Sequence, residues 1–152
     1  MTNAQSLAHR VSQTVLVVED DQLLQALMID ILEDAGFATL QAGNADEALA
    51  FLNGRHDIDV LLTDINMPGS MDGLQLAHAV CARWPLIRIV VVSARNGVSE
   101  TDLPAEGRFF QKPYHAAALI SAIRCWGSPA VRDSGDRVYL DVEVSNFAQT
   151  RR

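Results

Sequence analysis

The stretch LLTDINMPGSMDGLQ, residues 61–75, contains the end of an apolar strand, a polar loop and the start of a helix. The strand is predicted over residues 58–63, and the Met67-Pro68-Gly69 sequence beyond it predicts a loop. Asp64 follows the strand directly, at its carboxyl end. Because a buried charge is costly unless it is compensated, a carboxylate at this position indicates a specific role.

Four further apolar runs flank this strand and alternate with helical patterns. The five predicted strands are residues 15–18, 37–41, 58–63, 87–92 and 108–111. Such alternation is typical of βαβ units around a parallel sheet. The sequence therefore predicts a (βα)5 fold of the α/β class.

The first predicted helix has a clear apolar stripe and a clear end. Its apolar positions at helical spacing are Leu24, Leu27, Met28, Ile31, Leu32 and Ala35. Gly36 lies where a left-handed C-terminal cap is expected. In the second helix, Asn44 and Glu47 have the spacing of a capping box, and a helix ending near Gly54 is predicted.

The sequence patterns of the later helices differ in clarity. The third carries Leu76, Ala77, Val80, Cys81 and Trp84 on one face and is expected to stop before Pro85. Between Asn96 and Glu106 the pattern is weak, so the fourth helix should be short or irregular. The last helix has Leu119, Ala122, Ile123 and Trp126 as its stripe and Gly127 as its end.

Length and composition favour one folded domain. The chain has 152 residues, of which 49% are hydrophobic and 20% charged. We expect a flexible N-terminus over residues 1–13, the domain over 14–126 and a polar tail over 127–152. Alternating apolar residues at 138–144 leave two readings of the tail: it is disordered, or it is an added strand or arm that makes a homodimer.

Charge and segment composition exclude several classes. The net charge of -7 argues against direct nucleic-acid binding. The polar N-terminus is not a signal peptide, and no apolar run is long enough for a membrane span. Cys81 and Cys125 lie far apart without metal-site spacing, which indicates reduced core thiols, and the four histidines also lack ligand spacing. We expect a soluble, cytoplasmic protein without membrane contact.

Polar residues that carry chemistry gather where the predicted strands end. They are Glu19, Asp20 and Asp21 after the first strand, Asp64 after the third, Ser93 at the fourth and Lys112 after the fifth. In an open parallel sheet these ends meet at one edge, where ligands bind. Converging carboxylates repel each other unless one is protonated or a divalent cation is bound. Mg²⁺, with Mn²⁺ as the alternative ion, suits a few carboxylates beside a phosphate.

Simple explanations account for some of these residues singly. Asp21 would serve as a helix N-cap, Ser93 as a strand-end hydroxyl and Lys112 as a surface lysine. Asp64 precedes a loop, so capping does not explain it. A hydroxyl and an ammonium beside clustered carboxylates are the donors that phosphoryl transfer requires.

The set Glu19-Asp20, Asp64, Ser93 and Lys112-Pro113, in this order on a (βα)5 chain, resembles the receiver domain of two-component response regulators. The resemblance covers about residues 14–126. It implies a flavodoxin-like three-layer sandwich around a five-stranded parallel sheet. It also implies a signalling protein, not an enzyme beyond phosphoryl acceptance and autodephosphorylation, that is phosphorylated by a histidine kinase or phosphotransfer protein and then acts on a downstream protein partner.

The resemblance also implies individual roles at the acidic edge. Asp64 would be the phosphoacceptor. Asp20 would bind Mg²⁺ directly, together with Asp64 itself, while Glu19 would act through water and Asn66 through its backbone carbonyl.

Other implied roles concern switching and the lifetime of the phosphoryl group. Ser93 and Lys112 would contact the phosphoryl group, and Phe109 would be the switch aromatic, with the neighbouring fifth strand as part of the partner surface. Asn66 and Arg95, each two residues past a site residue, would tune dephosphorylation.

The chain departs from the family pattern at three places. The family commonly reads D-x-x-M-P-x-M-D-G, whereas here Gly69 and Ser70 occupy the place of one residue. The spacing from Ser93 to Lys112 is shorter than usual, which agrees with the weak fourth helix. Phe109 replaces a more common tyrosine and lacks its hydroxyl.

Three alternatives compete with this interpretation. A Mg²⁺-dependent phosphatase of the haloacid dehalogenase class would need its nucleophile after the first strand in a D-x-D pattern and a cap insertion. A flavodoxin-like binding module would need a glycine- and hydroxyl-rich phosphate loop where Glu19, Asp20 and Asp21 stand. A degenerate receiver would act only as a binding module, although every reactive position is filled.

Overall fold

The computed structural model describes residues 13–94 and 97–125. Its elements are β1 (Thr14–Val18), α1 (Gln22–Asp34), β2 (Ala38–Ala42), α2 (Ala45–Gly54), β3 (Val60–Asp64), α3 (Gly73–Arg83), β4 (Arg88–Ser93), a 3₁₀ turn (Glu100–Asp102), β5 (Arg108–Gln111) and α4 (Ala116–Cys125). The predictions for the N-terminus, for Arg95, for Trp126 and Gly127 and for the tail fall outside the described residues.

The five strands form one parallel sheet in the order β2-β1-β3-β4-β5. Every predicted strand is present, with boundaries within two residues of the prediction. The register pairs Val18 of β1 with Thr63 of β3, so Glu19 and Asp64 follow neighbouring strand ends. Strand order reverses between β1 and β3, which is where open α/β sheets bind ligands.

The central strands are buried on both faces. Leu16 and Val18 of β1 belong to a cluster that includes Leu52 of α2 and Val80 of α3. Side chains alternate along a strand, so Val15 and Val17 lie on the opposite face, and they are also buried. This double coverage explains why β1 and β3 read as continuous apolar runs.

Helix α1 begins and ends with the predicted caps. The Asp21 carboxylate accepts hydrogen bonds from the N–H groups of Leu23 and Leu24 at 2.9 and 3.1 Å. At the other end Gly36 has a φ of 98°, and its N–H donates to the Glu33 carbonyl oxygen at 3.0 Å. These bonds satisfy backbone groups that the helix itself leaves unpaired.

The predicted apolar stripe of α1 is partly wrong. Met28 and Leu32 are buried, but Leu24 and Leu27 are 43% and 51% exposed. The buried pair is four residues apart, along one line of the helix. The helix therefore buries a narrower stripe than its leucines suggest.

The capping box predicted for α2 forms only in part. The Asn44 side chain accepts from the Glu47 N–H at 2.9 Å, as expected. The Glu47 carboxylate, however, accepts from the Gly43 N–H at 2.8 Å, one residue before the cap. A complete box occurs instead at α3, between Asp72 and Gln75.

The segment before β5 confirms the prediction of a weak fourth helix. Helix α3 ends at Arg83, before Pro85, and between β4 and β5 the described residues contain only the 3₁₀ turn Glu100–Asp102 as helical structure. The Asp102 side chain accepts from the Ser99 N–H at 2.9 Å, and its carbonyl oxygen lies 2.7 Å from His78 Nε2. This segment is thereby linked to α3.

The described residues 114–125 belong to a second compact unit and contain α4. Leu119, Ala122 and Ile123 are buried, as predicted.

Both cysteines are free but half-buried, so the expectation of core thiols was too strong. Among the described residues, no helix has the length and hydrophobicity needed to span a bilayer.

Candidate functional site

The three acidic residues of the turn after β1 differ in burial and in hydrogen-bond partners. Glu19 is buried, at 8% exposure, and its N–H donates to the Ala42 carbonyl oxygen at 3.1 Å. Asp20 is exposed, and Asp21 serves as the N-cap of α1. The Asp21 N–H also donates to Glu19 Oε2 at 3.2 Å. The turn therefore directs one carboxylate inward and leaves its neighbour open to solvent.

Asp64 lies one strand away, at the end of β3, and is 9% exposed. Its Oδ1 accepts from the Asn66 N–H at 3.3 Å, and its Oδ2 accepts from Lys112 Nζ at 2.9 Å. A methyl group added at Gly73 would overlap the Asp64 carbonyl oxygen. The start of α3 therefore packs directly on the backbone of Asp64, which only glycine permits.

Lys112 joins the two buried carboxylates. Its Nζ lies 2.9 Å from Asp64 Oδ2 and 3.4 Å from Glu19 Oε1. Its backbone N–H donates to the Ser93 carbonyl oxygen at 2.8 Å, and the Lys112–Pro113 peptide bond is cis. One ammonium thus serves two carboxylates from strands β1 and β3.

The cluster retains an excess of negative charge. Burial, together with the charge of Asp64, raises the pKa of Glu19 from 4.5 to about 7, against the opposing effects of the Asp21 N–H and Lys112. Burial alone would lower the pKa of Lys112, but its hydrogen bond to Asp64 and the charges of Asp64 and Glu19 raise it. A further cation would relieve the same repulsion.

Ser93 and Phe109 lie on neighbouring strands at this edge. Ser93 is fully buried at the end of β4 and pairs with Gln111 of β5. Phe109 is half-buried and packs against the core cluster that includes Leu103. Ser93 is linked to Lys112 through its carbonyl, so the hydroxyl residue and the ammonium residue are neighbours as the sequence predicts.

The predicted metal ligands are less tightly gathered than expected. Among the described residues, no group of three or more histidine, cysteine, aspartate or glutamate side chains is arranged to hold a metal ion. The side chains of Asp20 and Asn66 are exposed, while Glu19 and Asp64 share Lys112. Mg²⁺ is usually held by one or two carboxylates with water and other oxygens, so the oxygen donors present suit it.

Some residues at this edge were missed by sequence reasoning. Gln25 of α1 donates to the Glu19 and Ala42 carbonyl oxygens at 3.2 and 2.8 Å. Its signal was its helical spacing, since Gln25 precedes Met28 by three residues and Leu32 by seven, and both belong to the predicted apolar stripe. Such a residue indicates a polar partner on the buried side of the helix.

The additional residue of the β3–α3 loop also has a partner. Ser70 Oγ donates to Asp46 Oδ1 at 2.8 Å, and Gly69 has a φ of 116°. The loop is therefore tied to the first turn of α2. No local sequence pattern signals a pairing between residues this far apart.

Comparison with known proteins agrees with the geometry. A family model described as the response regulator receiver domain matches residues 15–124. The chain is 32% identical over 111 residues to the nitrogen assimilation regulatory protein NtrX of Azorhizobium caulinodans, covering 70% of this chain and 24% of NtrX. It is 30% identical over 112 residues to the response regulator receiver protein CpdR of Brucella abortus, covering 72% and 92% of the two chains.

Solved structures share the fold. The response regulator protein TrrA of Thermotoga maritima, crystallised in complex with Mg²⁺-BeF, aligns with a TM-score of 0.65 at 22% identity. The alignment covers 74% of this chain and 96% of TrrA. The chain spans about a quarter of the length of NtrX but most of CpdR. Because the family match runs from β1 into α4 and includes every residue of the acidic edge, this chain belongs to the response regulator receiver domain family.

Proposed function

We propose that Asp64 accepts a phosphoryl group from a histidine kinase or a phosphotransfer protein. The observation that supports this most strongly is the buried Asp64 carboxylate, bound at 2.9 Å by Lys112 and next to buried Glu19 at the carboxyl edge of the sheet. This edge is where an open α/β sheet presents reactive groups. Receivers as a family are signalling modules, so the reaction serves regulation.

The transfer is a simple displacement. A carboxylate oxygen of Asp64 attacks the phosphorus of a phosphohistidine, the P–N bond breaks, and the leaving imidazole takes up a proton. The product is an acyl phosphate on Asp64. Lys112 donates to the added phosphoryl oxygens, where its positive charge offsets the charge that the transfer brings in.

Mg²⁺ is the proposed cofactor. Asp20, Asp64 and the backbone carbonyl of Asn66 would hold it, with Glu19 acting through water. When bound, the ion supplies positive charge between the carboxylates and the incoming phosphoryl group. The oxygen-only donor set and the raised pKa of Glu19 support this assignment, as does the Mg²⁺-BeF complex of TrrA.

The phosphoryl group would switch a protein-binding surface. Ser93 and Lys112 gain contacts with the phosphoryl group, and only such differential contacts shift an equilibrium between conformers. Movement of Ser93 would alter the segment that follows β4 and let Phe109 turn inward. Because this segment contains a 3₁₀ turn in place of a helix, the surface would differ from that of receivers with a full fourth helix.

The haloacid dehalogenase alternative has little support in the geometry. That class places its nucleophile after the first strand. Here Asp20 is exposed and Asp21 caps α1, whereas Lys112 makes its shortest ion pair with Asp64 after β3. The receiver reaction is therefore the function that the site supports best.

The proposal is tested by intact-protein mass spectrometry after incubation with acetyl phosphate and Mg²⁺. We expect wild type to gain one phosphoryl group and Asp64→Asn to gain none. Asp21→Asn is the matched control, since it makes the same change at the same edge and asparagine caps a helix equally well. A wild-type protein that stays unmodified, or an Asp64→Asn variant modified as fully as wild type, would overturn the proposal.

A further inference from the structure

Gln25 is the one half-buried residue in the first two turns of α1, where residues 22–24 and 26–27 are exposed. Its side-chain amide donates to the Ala42 carbonyl oxygen at 2.8 Å and to the Glu19 carbonyl oxygen at 3.2 Å. The Ala42 carbonyl oxygen also accepts from the Glu19 N–H at 3.1 Å. Gln25 therefore holds together the ends of β1 and β2.

The chemistry of the amide suits this position. A glutamine amide has two N–H hydrogens, and both can be used when two carbonyl oxygens converge on it. A carboxylate of the same shape would repel both oxygens. An apolar side chain would donate no hydrogen bond to either of them. The contact fixes the carbonyl of Glu19, and with it the direction in which the chain enters Asp20.

Asp20 depends on this backbone more than its neighbours do. Asp21 is held by its capping bonds, and the Glu19 side chain is bound by Lys112 and by the Asp21 N–H. Asp20 is exposed and its carboxylate interacts with that of Glu19, so its position depends on the turn that carries both residues. Fixing this turn therefore fixes the backbone that carries Asp20 before any ligand arrives.

We propose that Gln25 is a positioning residue that sets the affinity of the acidic turn, residues 19–21, for Mg²⁺. This inference rests on the proposed receiver function. Groups that orient metal ligands without touching the metal commonly change its affinity by about 10- to 100-fold when they are removed. A purely structural role, by contrast, would change stability and leave Mg²⁺ affinity as it is.

The test compares Gln25→Met with wild type. Methionine keeps the length and the helix propensity of glutamine but has no donor. Gln25→Asn is the second variant, since it stays polar but is one methylene too short to reach both carbonyls. Gln22→Met is the matched control, because Gln22 lies on the same helix and is exposed. Each protein is titrated with Mg²⁺ by calorimetry, melted, and phosphorylated with acetyl phosphate at saturating Mg²⁺.

We expect Gln25→Met and Gln25→Asn to raise the Kd for Mg²⁺ by about tenfold, with Gln22→Met unchanged. At saturating Mg²⁺ their phosphorylation rates should return to within about twofold of wild type, because only ligand positioning was lost. If wild type binds Mg²⁺ and is phosphorylated but both Gln25 variants bind Mg²⁺ as tightly as wild type does, the positioning role of Gln25 is disproved and the receiver function stands. If wild type neither binds Mg²⁺ nor becomes phosphorylated, the receiver function fails with it.

Discussion

Among the single residues, Glu19 is both buried and close to a second carboxylate, and both conditions disfavour its ionised form. It is buried beside Asp64 and shares one lysine with it, and its pKa is raised to about 7. A raised folded-state pKa means that the folded protein holds this proton more tightly than the unfolded chain does. Its contribution to stability is therefore present at low pH and is lost as the pH rises through about 7.

The raised pKa of Glu19 predicts how the stability of the metal-free protein depends on pH. The free energy of unfolding of Glu19→Gln, relative to wild type, should increase between about pH 5 and about pH 8, because glutamine cannot ionise. Urea denaturation in the presence of a chelator measures the difference, with Glu106→Gln as an exposed control. A difference that stays constant over this range, or that decreases, would contradict a raised pKa at Glu19.

A second prediction for a single residue concerns Gly73, which packs on the backbone of Asp64. Since a methyl group there would overlap the Asp64 carbonyl oxygen, Gly73→Ala should lower stability by about 1–3 kcal/mol and slow phosphorylation. Gly54→Ala is the control, because its methyl would meet no atom within 4 Å and alanine favours a helix. Equal melting temperatures for the two variants would show that α3 can move away from Asp64 at no cost.

The elements show where sequence patterns were sufficient and where they were not. The strands were predicted well because burial on both faces leaves continuous apolar runs, and Pro85 and Gly36 marked helix ends by their backbone chemistry. The predicted apolar stripe of α1 was wrong at Leu24 and Leu27, which are exposed, because helical spacing does not reveal how wide a face of the helix the sheet covers. The capping box at Glu47 failed because a long side chain has a choice of nearby N–H groups.

The β3–α3 loop gives a prediction at the element scale. Ser70 and Asp46 join this loop to α2 through an exposed hydrogen bond. A double-mutant cycle with Ser70→Ala and Asp46→Ala should give a coupling energy of about 0.5–1.5 kcal/mol in the free energy of unfolding. Additive effects would show that the longer loop is not tied to α2 in solution.

The whole molecule explains why the site could be predicted only in part. Parallel strands bring Glu19, Asp64 and Ser93 to one edge whatever the details of packing, so the set itself could be read from the chain. The place of Lys112 between two carboxylates depends on contacts between residues far apart in sequence, as does the bond from Gln25 to Ala42. No local pattern carries such information.

Locating the phosphoryl group on the chain establishes whether Asp64 is the phosphoacceptor. Wild-type protein is incubated with acetyl phosphate and Mg²⁺, the acyl phosphate is reduced with borohydride, and the peptides are sequenced by mass spectrometry. Reduction converts a phosphorylated aspartate into homoserine, which marks its position permanently. We expect homoserine at position 64 alone, whereas homoserine at position 20 or 21 with Asp64 unchanged would show that Asp64 is not the phosphoacceptor.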